Sequence, residues 1–374
     1  MALKNTFDLA EARRRLSDWL PGVLSVDGPV DVTDLVIPEA SGMSSQTVLF
    51  EAVVDDGDAR AKRGFVVRVP PEGEGVFPDY DMAREARVMS VLATATDVPV
   101  PNVVAHETTG DVLGTEFLLV DRVHGEVPAD DPPFTTAGFV VELSDQQRAT
   151  MWDAGLRAIA GIQSIDPLDH GLGFLRHTDL GGDTVLDEEL AYWRRFYQWA
   201  AGDQRSPTID AAFEKLEATK PTDDGPLVVS WGDGRFGNLM FGPDQEVTGV
   251  FDWEMATLGR REVDLGYWLF FDEVYSSGLG IPRLTGFPGR DATVARFEEL
   301  TGHTVRDLEW FEAWAALRGA CLIVRVGNLM ISHGFLPEGH AMPWNNPAAQ
   351  VLAQLLDLPQ PSGEAGWITG NRDR

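Results

Sequence analysis

Apolar residues along the first third of the chain occur in the short runs that are typical of β-strands. TVLFEAVV (47–54) and GFVVRV (64–69) are separated by turn-forming residues and are predicted to form adjacent antiparallel strands. Two further strands are predicted at Val103–Glu107 and Glu116–Val123. Between the two pairs, apolar residues recur at helical spacing from Tyr80 to Ala93. With a first strand before residue 41, this pattern predicts a five-stranded sheet with one helix inserted after the third strand.

The pattern changes after Gly125, where a proline-rich segment leads into long stretches of helical periodicity. Ser144 and Gln147 have the spacing of a capping box and predict the start of one such helix. Three strand-like runs interrupt the helices: LVVSW (227–231), LMFG (239–242) and VTGVFDW (247–253). The sequence therefore predicts an α+β protein with an N-terminal lobe over 1–123 and a C-terminal lobe over 124–374, whose tail from 361 has little regular structure.

Composition and charge exclude several classes of protein. The chain has 30 Lys and Arg against 59 Asp and Glu, a net charge of −29 that repels nucleic acids and anionic membrane surfaces and would attract a cationic substrate. Its one cysteine, Cys321, cannot form an intrachain disulfide, so we expect a cytoplasmic protein. The N-terminus predicts a surface helix instead of a signal peptide, and no run approaches the roughly 18 apolar residues that span a membrane.

The segment SWGDGRFGNL (230–239) carries the residue types that phosphoryl transfer requires. Asp233 can accept the proton of an attacking hydroxyl, and Arg235 can face the γ-phosphate. The amide oxygen of Asn238 can bind a metal ion, and Asp252, at the end of an apolar strand, supplies a second oxygen ligand. Two such ligands together with nucleotide phosphates suit Mg²⁺, which usually keeps several of its waters.

Three motifs, WGDGRFGN, FDWEMATLG and REVDLGYW, together resemble the aminoglycoside phosphotransferase and choline kinase family. The chain is most similar to bacterial members that resemble the kinase domains fused to some acyl-CoA dehydrogenases. The resemblance runs from about residue 35 to about residue 335. It implies a two-lobed, protein-kinase-like α+β fold with an antiparallel-sheet N-lobe and a mainly helical C-lobe. It also implies ATP as the phosphoryl donor, with GTP as the alternative, and Mg²⁺.

For the C-lobe, the resemblance implies these roles: Asp233 as the catalytic base, Arg235 assisting it, Asn238 and Asp252 as Mg²⁺ ligands, and Glu254 as a weaker metal candidate. The family usually has a histidine at the position of Trp231, where it braces the catalytic loop. A tryptophan cannot reproduce both hydrogen bonds of that histidine. Asp264 takes the place of a buried aspartate that supports the metal and catalytic loops.

For the N-lobe, the resemblance implies that SGMSSQT (41–47) covers the nucleotide phosphates through Gly42, Ser44 and Ser45. The phosphate-binding lysine of the family is replaced by Arg68, and Glu85 is its expected helix partner. Arginine keeps its charge when buried and can contact phosphate oxygens through a bidentate fork. The alternative is an exposed arginine on an edge strand with a solvated glutamate. The hinge at 117–123 would meet the adenine edge through the backbone of Asp121 and Val123.

These features predict a kinase that transfers the γ-phosphoryl group of ATP to a hydroxyl of a small molecule. Two substrates are considered. A cationic amino-sugar, as in antibiotic resistance, fits the acidic net charge of the chain. A hydroxyacyl-CoA or related hydroxy-acid fits the resemblance to the kinase domains fused to acyl-CoA dehydrogenases. A nucleotide-binding pseudokinase without turnover is the alternative of another class, motivated by Trp231 and Arg68. The sequence contains no HExxH zinc motif, no Walker A motif and no GxSxG elbow.

Overall fold

The computed structural model describes residues 8–27, 30–38, 45–56 and 59–363. They divide into two compact units: the residues up to 94 together with 100–124, and 95–99 together with the residues from 125 onward. The first unit contains an antiparallel sheet and the second is mainly helical. The lobe boundary after Val123 stays a proposal.

The first unit is built on a five-stranded sheet with the order β1-β2-β3-β5-β4. All neighbouring strands are antiparallel, and β2 and β3 pair over their whole length. Helix α2 follows the third strand, as the apolar pattern predicted. The elements are α1 (Leu9–Leu24), β1 (Asp31–Val32), β2 (Gln46–Asp56), β3 (Ala59–Val69), α2 (Met82–Ala95), β4 (Val103–Glu107) and β5 (Phe117–Asp121).

Helix α1 is more than the surface helix expected from the sequence. Its N-terminus is capped by Asp8, whose carboxylate accepts hydrogen bonds from two backbone N–H groups of the first turn. Leu16 and Leu20, one turn apart, are fully buried and belong to the same apolar core as Val48 and Phe50 of β2. One face of the helix therefore forms part of the core of the first unit.

The second unit consists of helices with two short two-stranded sheets among them. Strand β6 pairs with β9 and β7 with β8, both antiparallel. The elements are α3 (Phe139–Glu142), α4 (Asp145–Ile162), α5 (Val185–Ala201), α6 (Pro207–Ala218), β6 (Val228–Ser230), β7 (Leu239–Phe241), β8 (Val247–Val250), β9 (Thr257–Gly259), α7 (Glu262–Val274), α8 (Arg290–Thr301), α9 (Leu308–Ser332) and α10 (Pro347–Leu355). Short 3₁₀ turns lie at Gly173–Leu175, Thr178–Leu180, Phe236–Asn238 and Ser277–Leu279.

Helices α4 and α9 both pack against α7. The capping box predicted at Ser144 and Gln147 is present at the start of α4. Glycines permit close packing between these helices: a Cβ on Gly266 of α7 would come within 2.7 Å of the Phe311 backbone of α9, and one on Gly155 would overlap Trp268. The positions of α7 and α9 are thus fixed tightly against each other.

Helix α9 corrects the expectation that no segment is long and apolar enough to cross a membrane. Among the described residues it is the one helix that meets this criterion by length and hydropathy. However, 67% of its apolar window is buried inside the protein, as is typical of a core helix. Its buried side chains include Arg318 and Arg325.

Candidate active site

The β7–β8 hairpin brings Asn238 and Asp252 to the same end of its ladder. Leu239 of β7 is paired with Val250 of β8, and one residue further out the N–H of Phe251 donates to the carbonyl of Asn238 at 3.0 Å. Asn238 and Asp252 therefore lie at the same end of the β7–β8 ladder. The predicted metal ligands are thus brought together by strand register, although they are fourteen residues apart in the sequence.

Asp233 lies between the side chains of Arg235 and Asn238. The Nε of Arg235 donates to both carboxylate oxygens at 3.3 and 3.2 Å. The amide Nδ2 of Asn238 donates to the Asp233 carboxylate at 2.5 Å and to its backbone carbonyl at 3.0 Å. The Asp233 side chain is only 13% exposed. The carboxylate is therefore fixed in one orientation by two neighbours in its own loop.

Arg235 has a second carboxylate partner, Asp130, which the sequence did not reveal. The Nη1 of Arg235 contacts both oxygens of Asp130 at 2.8 and 2.7 Å, and the hydroxyl of Tyr275 donates to Asp130 at 2.6 Å. The guanidinium also lies 5.4 Å from the ring centre of Phe271. Burial alone would lower the pKa of Arg235, but the charges of Asp130 and Asp233 hold that pKa well above its usual value. Arg235 is thus a permanent cation beside the candidate base.

Trp231 supports the catalytic loop in a way that the sequence reading did not foresee. The side chain is fully buried, and its Nε1 donates to the carbonyl of Phe251 at 2.8 Å. This bond links the start of the catalytic loop to the residue before Asp252. The indole therefore supplies one brace between the loop and the end of β8, while its ring packs 5.9 Å from that of Trp253.

Asp264 holds the backbone immediately before Asp233. Its Oδ1 accepts hydrogen bonds from the Ser230 hydroxyl at 2.8 Å and the Gly232 N–H at 3.0 Å. Its Oδ2 accepts from the Trp231 N–H at 3.1 Å and from Nε2 of Gln163 at 2.9 Å. The carboxylate is fully buried. Four donors satisfy it, as a buried charge requires, and they tie α7 and α4 to the catalytic loop.

In the first unit, Arg68 and Glu85 form the ion pair expected from the sequence. Arg68 Nη1 lies 2.8 Å from Glu85 Oε2, with the two side chains 13% and 4% exposed. Arg68 Nη2 also donates to the Ser45 hydroxyl at 3.2 Å. Because β3 is an interior strand of the sheet, the alternative of an exposed arginine on an edge strand is wrong. Gly42 and Ser44, predicted to cover the phosphates, lie outside the described residues.

The predicted hinge residues differ in how their backbones are used. The N–H of Asp121 donates to the carbonyl of Asn102 at 2.9 Å, so that group is not free to meet an adenine edge. The Asp121 carboxylate is held by Arg63 at 3.0 Å and by the Asn102 amide at 3.1 Å. Within the described part of the chain, the backbone of Val123 makes no hydrogen bond.

The donor set at the end of the β7–β8 ladder fits Mg²⁺. Because the Asn238 amide nitrogen is bonded to Asp233, the amide oxygen points away and is available as a ligand. Asp252 adopts a left-handed conformation with φ of 62°, a strained geometry typical of functional sites. Glu254 is partly buried between Trp253 and Met255. Within the described ranges, no group of three or more His, Cys, Asp or Glu side chains has metal-binding geometry.

The chain is similar to several known proteins. The rat (Rattus norvegicus) acyl-CoA dehydrogenase family member 11 is 24% identical over 97% of the chain, and the chain spans 45% of that relative's length. The structure of a candidate aminoglycoside phosphotransferase from Ralstonia eutropha is 25% identical, covers 92% of this chain and 95% of its own, and has a TM-score of 0.67. The ternary complex of aminoglycoside phosphotransferase APH(4)-Ia with ADP and hygromycin B shares the fold at 15% identity, 91% and 98% coverage and a TM-score of 0.55.

These similarities confirm the predicted α+β, protein-kinase-like fold. The family model of the phosphotransferase enzymes matches residues 37–318, which includes Arg68, Glu85 and the whole segment from Trp231 to Glu254. The chain therefore belongs to the phosphotransferase enzyme family and is a kinase-type phosphotransferase.

Proposed function

We propose that the protein is a Mg²⁺- and ATP-dependent kinase that phosphorylates a hydroxyl group of a small molecule. The observation that carries this proposal is the fixed orientation of the Asp233 carboxylate between Arg235 and Asn238. A carboxylate held in this way can accept a hydroxyl proton in the same position in each catalytic cycle. The family membership supports phosphoryl transfer as the reaction.

In the proposed reaction, Asp233 accepts the proton of the acceptor hydroxyl as that oxygen attacks the γ-phosphorus of ATP. A bond forms between the acceptor oxygen and phosphorus, and the bond from phosphorus to the bridging oxygen breaks with its electrons leaving on ADP. We assign Arg235 to the transferring group, where its permanent charge offsets the negative charge of the phosphoryl oxygens. Asp130 would keep the guanidinium beside the base between turnovers.

We assign Asn238 and Asp252, with Glu254 as the weaker candidate, to Mg²⁺. When bound, Mg²⁺ would neutralise charge on the nucleotide phosphates. In the first unit, Arg68 is assigned to the phosphates, held by Glu85, together with Gly42, Ser44 and Ser45 of the covering loop. The backbone of Val123 and the backbone carbonyl of Asp121 are assigned to the adenine edge, since the Asp121 N–H is already bonded to Asn102. The ADP in the APH(4)-Ia complex supports ATP as donor, with GTP as the alternative.

For the acceptor, two chemical classes have support. An amino-sugar fits the net charge of −29 and the hygromycin B found in the APH(4)-Ia complex. A hydroxyacyl-CoA or related hydroxy-acid fits the similarity to acyl-CoA dehydrogenase family member 11, which extends over 97% of the chain. A nucleic acid or a membrane surface is not proposed as a partner, because the charge opposes both. We propose a cytoplasmic location.

The test is a panel of aminoglycosides and hydroxyacyl-CoAs incubated with the protein and Mg-ATP, with ADP release and product mass as readouts. Asp233→Ala is expected to reduce turnover about 1,000-fold and to leave the Kd for ATP largely unchanged. Asp203→Ala, in the exposed loop after α5, is the matched control and should behave as wild type.

Two outcomes would contradict the proposal. Retained turnover in Asp233→Ala would exclude this residue as the base. Nucleotide binding with no Mg²⁺-dependent phosphorylation across the panel would favour the pseudokinase alternative.

A further inference from the structure

A buried arginine in helix α9 reaches the catalytic loop from behind. Arg318 is only 1% exposed, and its Nη2 donates to the backbone carbonyl of Gly232 at 2.6 Å. Gly232 directly precedes Asp233, so this carbonyl belongs to the peptide group that carries the Asp233 N–H. The two residues that form this bond are 86 positions apart in the sequence.

The guanidinium of Arg318 lies between two aromatic rings. Its central carbon is 5.1 Å from the ring centre of Trp193 on α5 and 4.9 Å from that of Tyr267 on α7. Such stacking offsets part of the cost of burying a cation. Three helices thus fix the direction in which the guanidinium donates.

The Gly232 carbonyl is the hydrogen-bond acceptor that Arg318 uses within the described residues. The Nε and Nη1 atoms of Arg318 are buried without a hydrogen-bond partner among the described residues. No carboxylate of those residues lies within ion-pair distance of Arg318. Burying an uncompensated charge costs several kcal/mol. A methionine of similar length would fill the space between the rings without that cost, so packing alone does not explain an arginine at this position.

Both peptide groups that flank the Cα of Gly232 are held by hydrogen bonds. Its N–H donates to Asp264 at 3.0 Å, and its carbonyl accepts from Arg318. The residue adopts φ of 88°, and a Cβ at this position would come within 2.0 Å of the Met255 carbonyl oxygen. Only glycine fits here, and a glycine without these two bonds would leave the backbone before Asp233 free to rotate.

We propose that Arg318 is a positioning residue for phosphoryl transfer, which fixes Asp233 by holding the Gly232 carbonyl. The inference rests on the proposed role of Asp233 as base. Arg318 itself touches neither nucleotide nor acceptor in this proposal. Its loss should therefore lower the rate of the chemical step and leave nucleotide binding nearly unchanged, because a small misplacement of a base is costly to the rate.

The experiment compares Arg318→Met, Arg318→Lys and Arg325→Met in the full chain. Turnover of Mg-ATP is measured with the acceptor that the panel identifies and with water as acceptor, and Kd is measured for AMP-PNP. Arg318→Met should lower kcat about 30-fold, with KM for ATP and Kd for AMP-PNP within about threefold of wild type. Arg318→Lys keeps a charged hydrogen-bond donor, so its kcat should lie between those of Arg318→Met and wild type.

Arg325→Met is the matched control. Arg325 is on the same helix, is also buried, and stacks on Trp199 at 4.2 Å. Its substitution should change the melting temperature about as much as Arg318→Met does, but leave kcat within about twofold of wild type. A purely structural role for Arg318 would instead make the two methionine variants alike.

A kcat within about threefold of wild type in folded Arg318→Met would overturn the inference. If that variant does not fold, Arg318→Leu, which also lacks a donor for the Gly232 carbonyl, decides by the same kcat criterion. Asp233→Ala, measured in parallel, separates the two claims. An inactive Asp233→Ala with a fully active Arg318→Met refutes the positioning role alone, whereas an active Asp233→Ala refutes the proposed base as well.

Discussion

The catalytic loop of the second unit and the Arg68–Glu85 pair of the first unit are held by different means. Arg68 is on an interior strand and Glu85 on a regular helix, so the backbone geometry of those elements places the two side chains. Asp233 lies on irregular backbone that follows β6, and its position depends on side chains from distant segments. Removing a distant side chain that contacts the catalytic loop should therefore lower kcat. Substitutions in the Arg68–Glu85 pair should mainly weaken nucleotide binding.

Among the substitutions that test this comparison, Asp264→Asn is expected to lower kcat most. It changes the side chain that accepts hydrogen bonds from the backbone of the catalytic loop. The asparagine amide group would face donors that now share one carboxylate, so at least one buried N–H or O–H loses its acceptor. We expect kcat to fall about 100-fold and the free energy of unfolding to fall by about 3 kcal/mol. Steady-state kinetics and urea denaturation measure the two. Unchanged kcat at reduced stability would mean that Asp264 does not determine the position of Asp233.

A smaller effect is expected from Asp130→Asn, which removes the second carboxylate from Arg235. The charge-assisted contacts of Arg235 Nη1 with the two Asp130 oxygens, at 2.8 and 2.7 Å, lose the charge of the carboxylate, and Arg235 then pairs with the Asp233 carboxylate alone. We expect a decrease of about tenfold in kcat, measured under saturating ATP.

Tyr275→Phe is the comparison for this variant, because it removes the hydroxyl donor to Asp130 and keeps the carboxylate. Its kcat should lie between those of wild type and Asp130→Asn. Wild-type kcat in Asp130→Asn would show that Arg235 does not need this partner during turnover.

The smallest effect on the chemical step is expected from Glu85→Gln in the first unit. Glutamine keeps the shape of the side chain but removes the charge that holds Arg68. The KM for ATP should rise about fivefold, and kcat should stay within about twofold of wild type. Glu51→Gln is the control, since its ion pair with Lys62 on the same sheet is exposed and contributes little. A decrease in kcat as large as that of Asp130→Asn would remove the distinction between the two regions.

Much of the first unit could be predicted because its signals are local. Apolar runs bounded by turn residues predicted four of its strands, and the family resemblance implied the contact of Arg68 with Glu85. The sequence predicted five strands but did not give the bounds of β1, which has only two residues, and it did not predict the buried face of α1. An apolar stripe on a helix indicates a buried face, but the three consecutive arginines of α1 favoured the interpretation of a solvent-exposed helix.

In the second unit, the sequence by itself determined which residues could perform the chemistry. Asp233, Arg235 and Asn238 lie within six consecutive residues, so a single turn of the chain brings them together. Only the tertiary structure decided what holds them: Asp130 reaches Arg235 across 105 positions, and Arg318 reaches Gly232 across 86. Such contacts depend on how helices pack on one another, and no local periodicity or spacing in the sequence encodes that packing.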